Sequence, residues 1–178
     1  MPEKTISSKI VHDGHIRVRV DEVEFPDGRR TTREIVEHRG VIVVVPIDDA
    51  GNVLMVRQYR YAVGKELLEI PAGGIDGQET PEQAAIREMQ EETGYLPQKL
   101  VKLGGFYSAP GYTSEFMHLF LATGLSASRL VAEDTEEIKL ERLPVSKIRQ
   151  TIASGKIEDA KTIAGLLMYL EFRKKLKS

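Results

Sequence analysis

The sequence predicts an α+β protein in which a small N-terminal antiparallel β unit precedes a larger domain built on buried strands. Residues 9–25 alternate approximately between apolar and charged residues, which is typical of a half-exposed strand. The β-branched run from Val41 to Ile47 is typical of a strand buried on both faces. Clear helix signals appear only later, at Thr80 and Asp159. The 178 residues are enough for one compact core and a modest extra element.

The N-terminal unit is predicted from this alternating segment and the turn that follows it. The step from Val20 to Val23 breaks the alternation and predicts a β-bulge. Pro26-Asp27-Gly28 is a turn signal, and the segment after it is rich in Thr and Arg, as expected for a return strand. We therefore divide the chain into an N-terminal β unit of residues 1–39 and a second domain of residues 40–178.

Turns and caps define the elements of the second domain. Asp48 to Asn52 is a predicted turn between two strands. Thr80, Pro81 and Gln83 predict a helix start with a capping box, and Gly94 suits the position after that helix. Asp159 is the predicted cap of a final helix. The remaining predicted elements are strands at 53–59, 116–122 and 138–143 and a short helix at 146–154.

Composition and charge exclude several classes of protein. The net charge of −2 provides no overall basic field for nucleic acid or for an anionic membrane. The sequence has no cysteine, which excludes disulfides, thiolate metal sites and a cysteine nucleophile. Neither a signal-peptide pattern nor an apolar run near the roughly 18 residues of a membrane span occurs. We therefore expect a cytoplasmic protein without nucleic-acid or membrane partners.

An acidic helix after Thr80 is the strongest chemical signal in the sequence. Glu88, Glu91 and Glu92 are spaced i, i+3, i+4, so they share one helical face, and Glu79 lies just before the helix. Clustered carboxylates repel one another unless a cation neutralises them, and oxygen ligands at this density suit Mg²⁺ or Mn²⁺. Arg87 can pair with Glu79 or Glu91. The opposite side of the helix is predicted to be buried through Ala84, Ala85 and Met89.

A solvated acidic surface helix is the competing interpretation, and the spacing decides against it. Residues 73–95 read GGIDGQETPEQAAIREMQEETGY, with Gly73, Glu79, Arg87-Glu88, Glu91-Glu92 and Gly94 at fixed intervals. Seven such identities at about 7% usage each have a chance probability on the order of 10⁻⁸ at a given start. The segment resembles the Nudix box. Tyr95, where the family more often has an aliphatic residue, is the one mild departure.

The resemblance implies both a fold and a reaction. The fold is an α/β/α sandwich around a mixed sheet, and the reaction is hydrolysis of a nucleoside diphosphate linked to another moiety. It also implies the metal ligands, which are the carboxylates of Glu88, Glu91 and Glu92 and the main-chain carbonyl of Ala72. Glu79 is expected to orient Arg87, which we count among the catalytic candidates.

Downstream residues resemble the ADP-ribose pyrophosphatase branch of this family. Pro110 follows Gly94 by sixteen residues, within a Ser-x-Pro-Gly-x-x-x-Glu stretch that ends at Glu115. A Pro-Gly turn alone would also explain the proline. Glu115 matches a glutamate near the substrate in that branch. Arg60 and Arg33 resemble its phosphate-contacting arginines, although exposed strand arginines would look the same.

In this branch the proton acceptor lies on a late loop, which corresponds here to the acidic residues 133–137. Glu136 is the first candidate, Glu137 the second and Glu133 the third, and a solvated acidic turn is the competing interpretation.

The branch also uses its N-terminal unit across a two-fold axis, so we expect a homodimer. Because isolated two-stranded units are marginal, a partner would cover this one. The alternatives are a hydrolase of another nucleotide sugar such as GDP-mannose, a nucleoside triphosphatase, which is usually shorter, or a non-catalytic nucleotide sensor, which usually loses box carboxylates.

Overall fold

The computed structural model describes residues 3–131 and 137–176. The chain forms two compact units. The first comprises Met1–Gly40 with Tyr107–Phe116, and the second comprises Val41–Phe106 with Met117–Ser178. Within the described ranges no helix is long and apolar enough to cross a membrane.

The first unit is a three-stranded antiparallel sheet in the order β1-β2-β3. Its strands are β1 (Lys4–Asp13), β2 (Arg17–Glu24) and β3 (Arg30–Glu37). The alternating segment 9–25 therefore spans two strands, which are separated at Gly14. The N–H of Gly14 donates a hydrogen bond to the carbonyl of Ile16. The predicted turn at residues 26–28 is confirmed, with Gly28 at φ 85°.

The predicted bulge between Val20 and Val23 is wrong, because β2 and β3 pair in continuous register. The register shifts lie in the edge strand β1 instead, which has one neighbour in the sheet and can absorb extra residues. Asp21 explains the broken apolar pattern. It is 3% exposed beside buried Val23, and its carboxylate accepts hydrogen bonds from Ser8 and Arg19.

Residues 107–116 belong to the first unit because their backbone pairs with β3. The N–H of Val36 donates to the carbonyl of Tyr112 at 2.8 Å, and the N–H of Ser114 donates to the carbonyl of Val36 at 3.1 Å. The hydroxyl of Ser114 also accepts from the N–H of His38.

The second unit contains two sheets, in the orders β7-β4-β9-β8 and β10-β5-β6. Strands β4 and β9 are parallel, and β4 and β7 are antiparallel, so this sheet is mixed. The strands are β4 (Val41–Pro46), β5 (Asn52–Arg60), β6 (Lys65–Glu69), β7 (Ala72–Gly74), β8 (Tyr95–Tyr107), β9 (Phe116–Ala127) and β10 (Lys139–Pro144). The helices are α1 (Pro81–Glu88), α2 (Ile148–Ala153) and α3 (Ala160–Lys175).

Strand β4 is buried along its whole length, as its β-branched run predicts. Its odd-numbered side chains, such as Val43, belong to a core cluster that includes Leu166 of α3. Its even-numbered side chains, such as Ile42, belong to a second cluster with Ala84 and Met89 of the α1 segment. The alternation of side chains along one strand therefore places α1 and α3 on opposite faces of the sheet.

Helices α1 and α3 begin at the capping residues that the sequence predicts. The hydroxyl of Thr80 accepts from the N–H of Gln83, whose side chain accepts from the N–H of Thr80, so the capping box is complete. Asp159 caps α3 by accepting from the N–H of Thr162. The 13-residue strand β8 was not predicted, because Pro97 and the Gly104-Gly105 pair normally interrupt strands. As the last strand of its sheet, β8 can tolerate a proline that a central strand could not.

Candidate active site

The acidic segment is not a regular α-helix throughout. Helix α1 ends at Glu88 and continues as a π-helical turn, Met89–Thr93, before Gly94 at φ 77° ends it. The hydroxyl of Thr93 donates to the carbonyl of Met89 at 2.5 Å within this turn. Such turns are frequent at functional sites because they change the direction of side chains within a helix. Here the turn carries Glu91 and Glu92.

Arg87 is the cation around which the box carboxylates gather. Its Nη1 donates to Glu88 at 2.7 Å and to Glu91 at 3.0 Å, while Nε and Nη2 donate to Glu79 at 2.9 and 3.0 Å. Nη2 also donates to the carbonyl of Gly74. These hydrogen bonds lower the pKa of Glu79. The predicted pairing of Arg87 with Glu79 and Glu91 is thus present, and the three buried residues predicted for the opposite side are each 0% exposed.

Glu92 is the most buried acid of the cluster. It is 6% exposed, and one carboxylate oxygen accepts from the N–H of Ala72 at 3.1 Å. Burial, together with the charge of Glu88, raises the pKa of Glu92 to about 8. Burial also raises the pKa of Glu88, against the effect of Arg87. A proton or a bound cation is therefore needed to hold Glu92 in this position near neutral pH.

Gly73 provides the space for the carboxylate of Glu88. A Cβ atom built on Gly73 would lie 2.0 Å from the Cδ and Oε1 atoms of Glu88. Any side chain at this position would displace the carboxylate or the backbone of β7. Gly74, the next residue, has no heavy atom within 4 Å of such a Cβ. The close approach explains a glycine at the first position of the box.

The donor set fits a hard divalent cation. Glu88, Glu91 and Glu92 offer carboxylate oxygens, and Glu92 has a raised pKa that a cation would relieve. The N–H of Ala72 binds Glu92 directly, so this backbone is part of the same cluster. Within residues 3–131 and 137–176, no three acidic or histidine side chains already converge in metal-binding geometry. Arg87 donates hydrogen bonds to both Glu88 and Glu91.

A second charged cluster was not predicted from the sequence. Arg60, predicted to contact substrate, donates through Nε and Nη2 to Glu69, which is 1% exposed. Lys161 of α3 also donates to Glu69 and contacts Asp159. Burial and Glu88 raise the pKa of nearby Glu92, and the charges of Arg60 and Lys161 act against that rise. An acid enclosed by apolar residues, as in Leu67-Leu68-Glu69-Ile70, is a sequence signal that could have indicated a buried ion pair.

Arg33, Pro110 and Glu115 all belong to the first compact unit. Arg33 is bonded to Glu3 and lies over the Phe25 ring at 5.7 Å. Pro110 is exposed in a turn, and Glu115 lies 3.7 Å from the Nε2 of His38. Their roles in substrate binding stay predictions.

Among the candidate proton acceptors, Glu137 is exposed in the turn before β10. Glu133 and Glu136 lie outside the described residues.

Comparison with known proteins identifies relatives over the full chain. A NUDIX domain model matches residues 36–166, and a model of a nucleoside diphosphate sugar hydrolase N-terminal domain matches residues 3–36. An "ADP-ribose pyrophosphatase" of Bacillus subtilis (strain 168) is 35% identical, with coverage of 100% of this chain and 97% of that protein. A "Methanol dehydrogenase activator" of Bacillus methanolicus is 36% identical, with coverage of 98% and 96%.

A solved structure has the same fold. The crystal structure of an "ADP compounds hydrolase" superposes with a TM-score of 0.91 at 23% identity, and the match covers 99% of this chain and 96% of that one. This likeness confirms the predicted α+β fold class.

Gly73→Ala tests the close approach of β7 to Glu88. We expect the variant to lose at least about tenfold in kcat/KM, because the added Cβ displaces the Glu88 carboxylate. Gly74→Ala is the matched control, since its Cβ would enter open space, and should keep near wild-type activity. Steady-state kinetics with thermal unfolding of each variant provides the measurement. Equal activities for the two variants would contradict the assignment.

The raised pKa of Glu92 predicts that the free energy of unfolding depends on pH when a chelator removes divalent cations. Its pKa is about 8 in the folded protein and near 4.5 when unfolded, so between these values only the folded state keeps the proton. Stability should therefore fall as pH rises from about 4.5 to about 8, by on the order of a few kcal/mol. Glu92→Gln should lose this component of the pH dependence.

A divalent cation should reverse this fall in stability at high pH, because it binds the ionised carboxylate of Glu92. Thermal unfolding with chelator or with Mg²⁺, from about pH 5 to about pH 9, measures both effects. Parallel pH profiles for wild type and Glu92→Gln in chelator would refute this account of Glu92.

Proposed function

The chain belongs to the Nudix hydrolase family, and from this premise we propose that it hydrolyses the pyrophosphate of ADP-ribose to AMP and ribose 5-phosphate. The observation that carries the proposal is the complete set of box carboxylates, gathered at Arg87 and at the backbone of Ala72. The N-terminal match and the full-length likeness to an ADP-ribose pyrophosphatase support the substrate class.

We propose Mg²⁺ as the metal, with Mn²⁺ as a substitute, held by Glu88, Glu91, Glu92 and the carbonyl of Ala72. When bound, the ion would neutralise pyrophosphate charge and supply an activated water molecule. The chain's own contribution begins with positioning. Arg87 holds Glu88 and Glu91 at one nitrogen, and Glu79 in turn fixes the other side of its guanidinium. Ala72 fixes Glu92 through its N–H.

Substrate contacts outside the box are proposed for Arg60, Arg33, Pro110 and Glu115. Arg60 is 39% exposed at the end of β5, so its guanidinium is accessible to an anionic ligand while Glu69 fixes its orientation. Arg33 is 43% exposed on β3. Both arginines would bind phosphate oxygens through charge-assisted hydrogen bonds.

A proton acceptor outside the box is also part of the proposal. Because the box carboxylates are committed to the metal, they are poor bases. We assign the role to the acidic residues 133–137, with Glu136 first, Glu137 second and Glu133 third.

We further propose that the protein works as a cytoplasmic homodimer. Exposed apolar side chains on β1 and the following turn support the dimer, because a second copy would cover them. These side chains are Ile6, Ile10, Val11 and Ile16.

A substrate panel with Mg²⁺ tests the function. Wild-type protein should convert ADP-ribose to AMP and ribose 5-phosphate with a higher kcat/KM than GDP-mannose or nucleoside triphosphates. Glu91→Gln should lose most of this activity and keep the fold, because one ligand charge is removed. Nucleotide binding without turnover would favour a sensor, and preference for GDP-mannose would change the substrate assignment.

Glu136→Gln tests the proton acceptor. We expect kcat to fall by about 10²-fold or more with little change in KM, because only proton transfer in the transition state is lost. Metal affinity should be unchanged, which distinguishes this variant from Glu91→Gln. Glu133→Gln and Glu137→Gln are the matched comparisons. Wild-type kcat in all three single variants and in the triple variant would place the base elsewhere.

Removal of residues 1–39 tests the assembly. We expect light scattering to show a dimer for the full chain at micromolar concentration and loss of the dimer after truncation. A fully active monomeric full-length protein would contradict the proposal.

A further inference from the structure

Glu69 is the anchor of the second charged cluster. It ends β6 and is 1% exposed, so its carboxylate is almost wholly removed from water. Arg60 donates to both of its oxygens, at 2.8 and 2.7 Å, and Lys161 donates to Oε2. These partners outweigh the effect of burial and hold the pKa of Glu69 below its usual value. The carboxylate is therefore ionised and shared between two cations.

Lys161 is itself held in place from two sides. Its side chain is 10% exposed, and Nζ lies 3.0 Å from Asp159 in addition to its bond with Glu69. A lysine buried to this degree is rare unless it is paired. Asp159 also caps α3, so the position of the amine is tied to the start of that helix.

The charge balance shows what Lys161 does for Arg60. With Lys161, the group of Arg60, Lys161, Glu69 and Asp159 carries no net charge. Without Lys161 it would carry −1, and the charge of Arg60 would be committed entirely to Glu69. An anionic ligand near Arg60 would then meet a net negative group instead of a neutral one with an accessible guanidinium.

The same region of α3 also reaches the metal-binding backbone. The hydroxyl of Thr162 accepts from the N–H of Ile70 at 3.0 Å and donates to Asp159 at 2.5 Å. Ile70 lies two residues before Ala72, whose N–H binds Glu92. Thr162 thus fixes the backbone at Ile70, close to the proposed metal ligands, whereas Lys161 donates to the side chain of Glu69.

We infer that Lys161 is a positioning residue for substrate: by sharing the charge of Glu69, it leaves Arg60 oriented and electrostatically able to bind a phosphate group of the nucleotide. This inference rests on the proposed function, which assigns Arg60 to a substrate phosphate. The main effect of Lys161 is on substrate binding; because its charge also favours the ionised form of Glu92, kinetics are compared at saturating Mg²⁺.

Lys161→Met is the primary test, because methionine keeps the length of the buried stem and removes the charge. KM for ADP-ribose should rise at least about fivefold, and kcat should stay within about twofold of wild type. Lys174→Met is the matched control. It removes a lysine paired with Glu171 on the same helix but 65% exposed, and should leave KM unchanged. Thermal unfolding of each variant shows whether the fold is retained.

Glu69→Gln in the Lys161→Met background separates charge balance from simple packing. The double variant removes one charge of each sign and returns the group to neutrality, while the amide oxygen of Gln still accepts a hydrogen bond from Arg60, so KM should come part of the way back towards wild type. The Glu69→Gln single variant is measured beside it. In the Arg60→Gln background, Lys161→Met should add little further increase in KM, because Lys161 acts through Arg60.

The outcomes are distinct. A wild-type protein that does not turn over ADP-ribose refutes the proposed function and this inference with it. Normal wild-type turnover with an unchanged KM in Lys161→Met refutes the inference alone. A loss confined to kcat, or a double variant worse than both single ones, would show that Lys161 has only a structural role.

Discussion

The crowding of carboxylates around one loop and helix is the constraint on which this structure depends. Four box glutamates occupy a small volume, and each needs a positive partner or a hydrogen-bond donor to remain there. Arg87 donates hydrogen bonds to Glu79, Glu88 and Glu91, while Glu92 accepts one from the N–H of Ala72. Arg87 therefore stabilises the arrangement of Glu79, Glu88 and Glu91.

The central strand β4 makes this arrangement possible. One face of β4 packs against α1 and the other packs against α3. The residues of both charged clusters lie in the second compact unit. Strand β7 pairs with β4 and brings Gly73 against Glu88. Precise packing of apolar residues thus determines distances between charged ones, because a close-packed core leaves little freedom for the strands that carry them.

The box contains several features that the sequence predicts and one that it does not. Its capping box, its buried alanines and the pairing of Arg87 were all predicted, because each depends on residues within one helical turn or two. The π-helical turn was not predicted, since the spacing of Glu88, Glu91 and Glu92 looks the same on a regular helix. In the N-terminal unit, the broken apolar pattern predicts a bulge, whereas the structure buries Asp21 with hydrogen bonds from Ser8 on β1 and from Arg19 on its own strand.

The sequence alone determined the family and the reaction class, because these are recorded as residue types at fixed spacing. It also determined the helix starts and the buried central strand, which depend on local chemistry and periodicity. Only the tertiary structure decided that Glu92 turns to the backbone of Ala72 and that Glu69 is shared by Arg60 and Lys161. Lys161 is 92 residues from Glu69 in the chain, and no local pattern specifies which distant charge a buried carboxylate will meet.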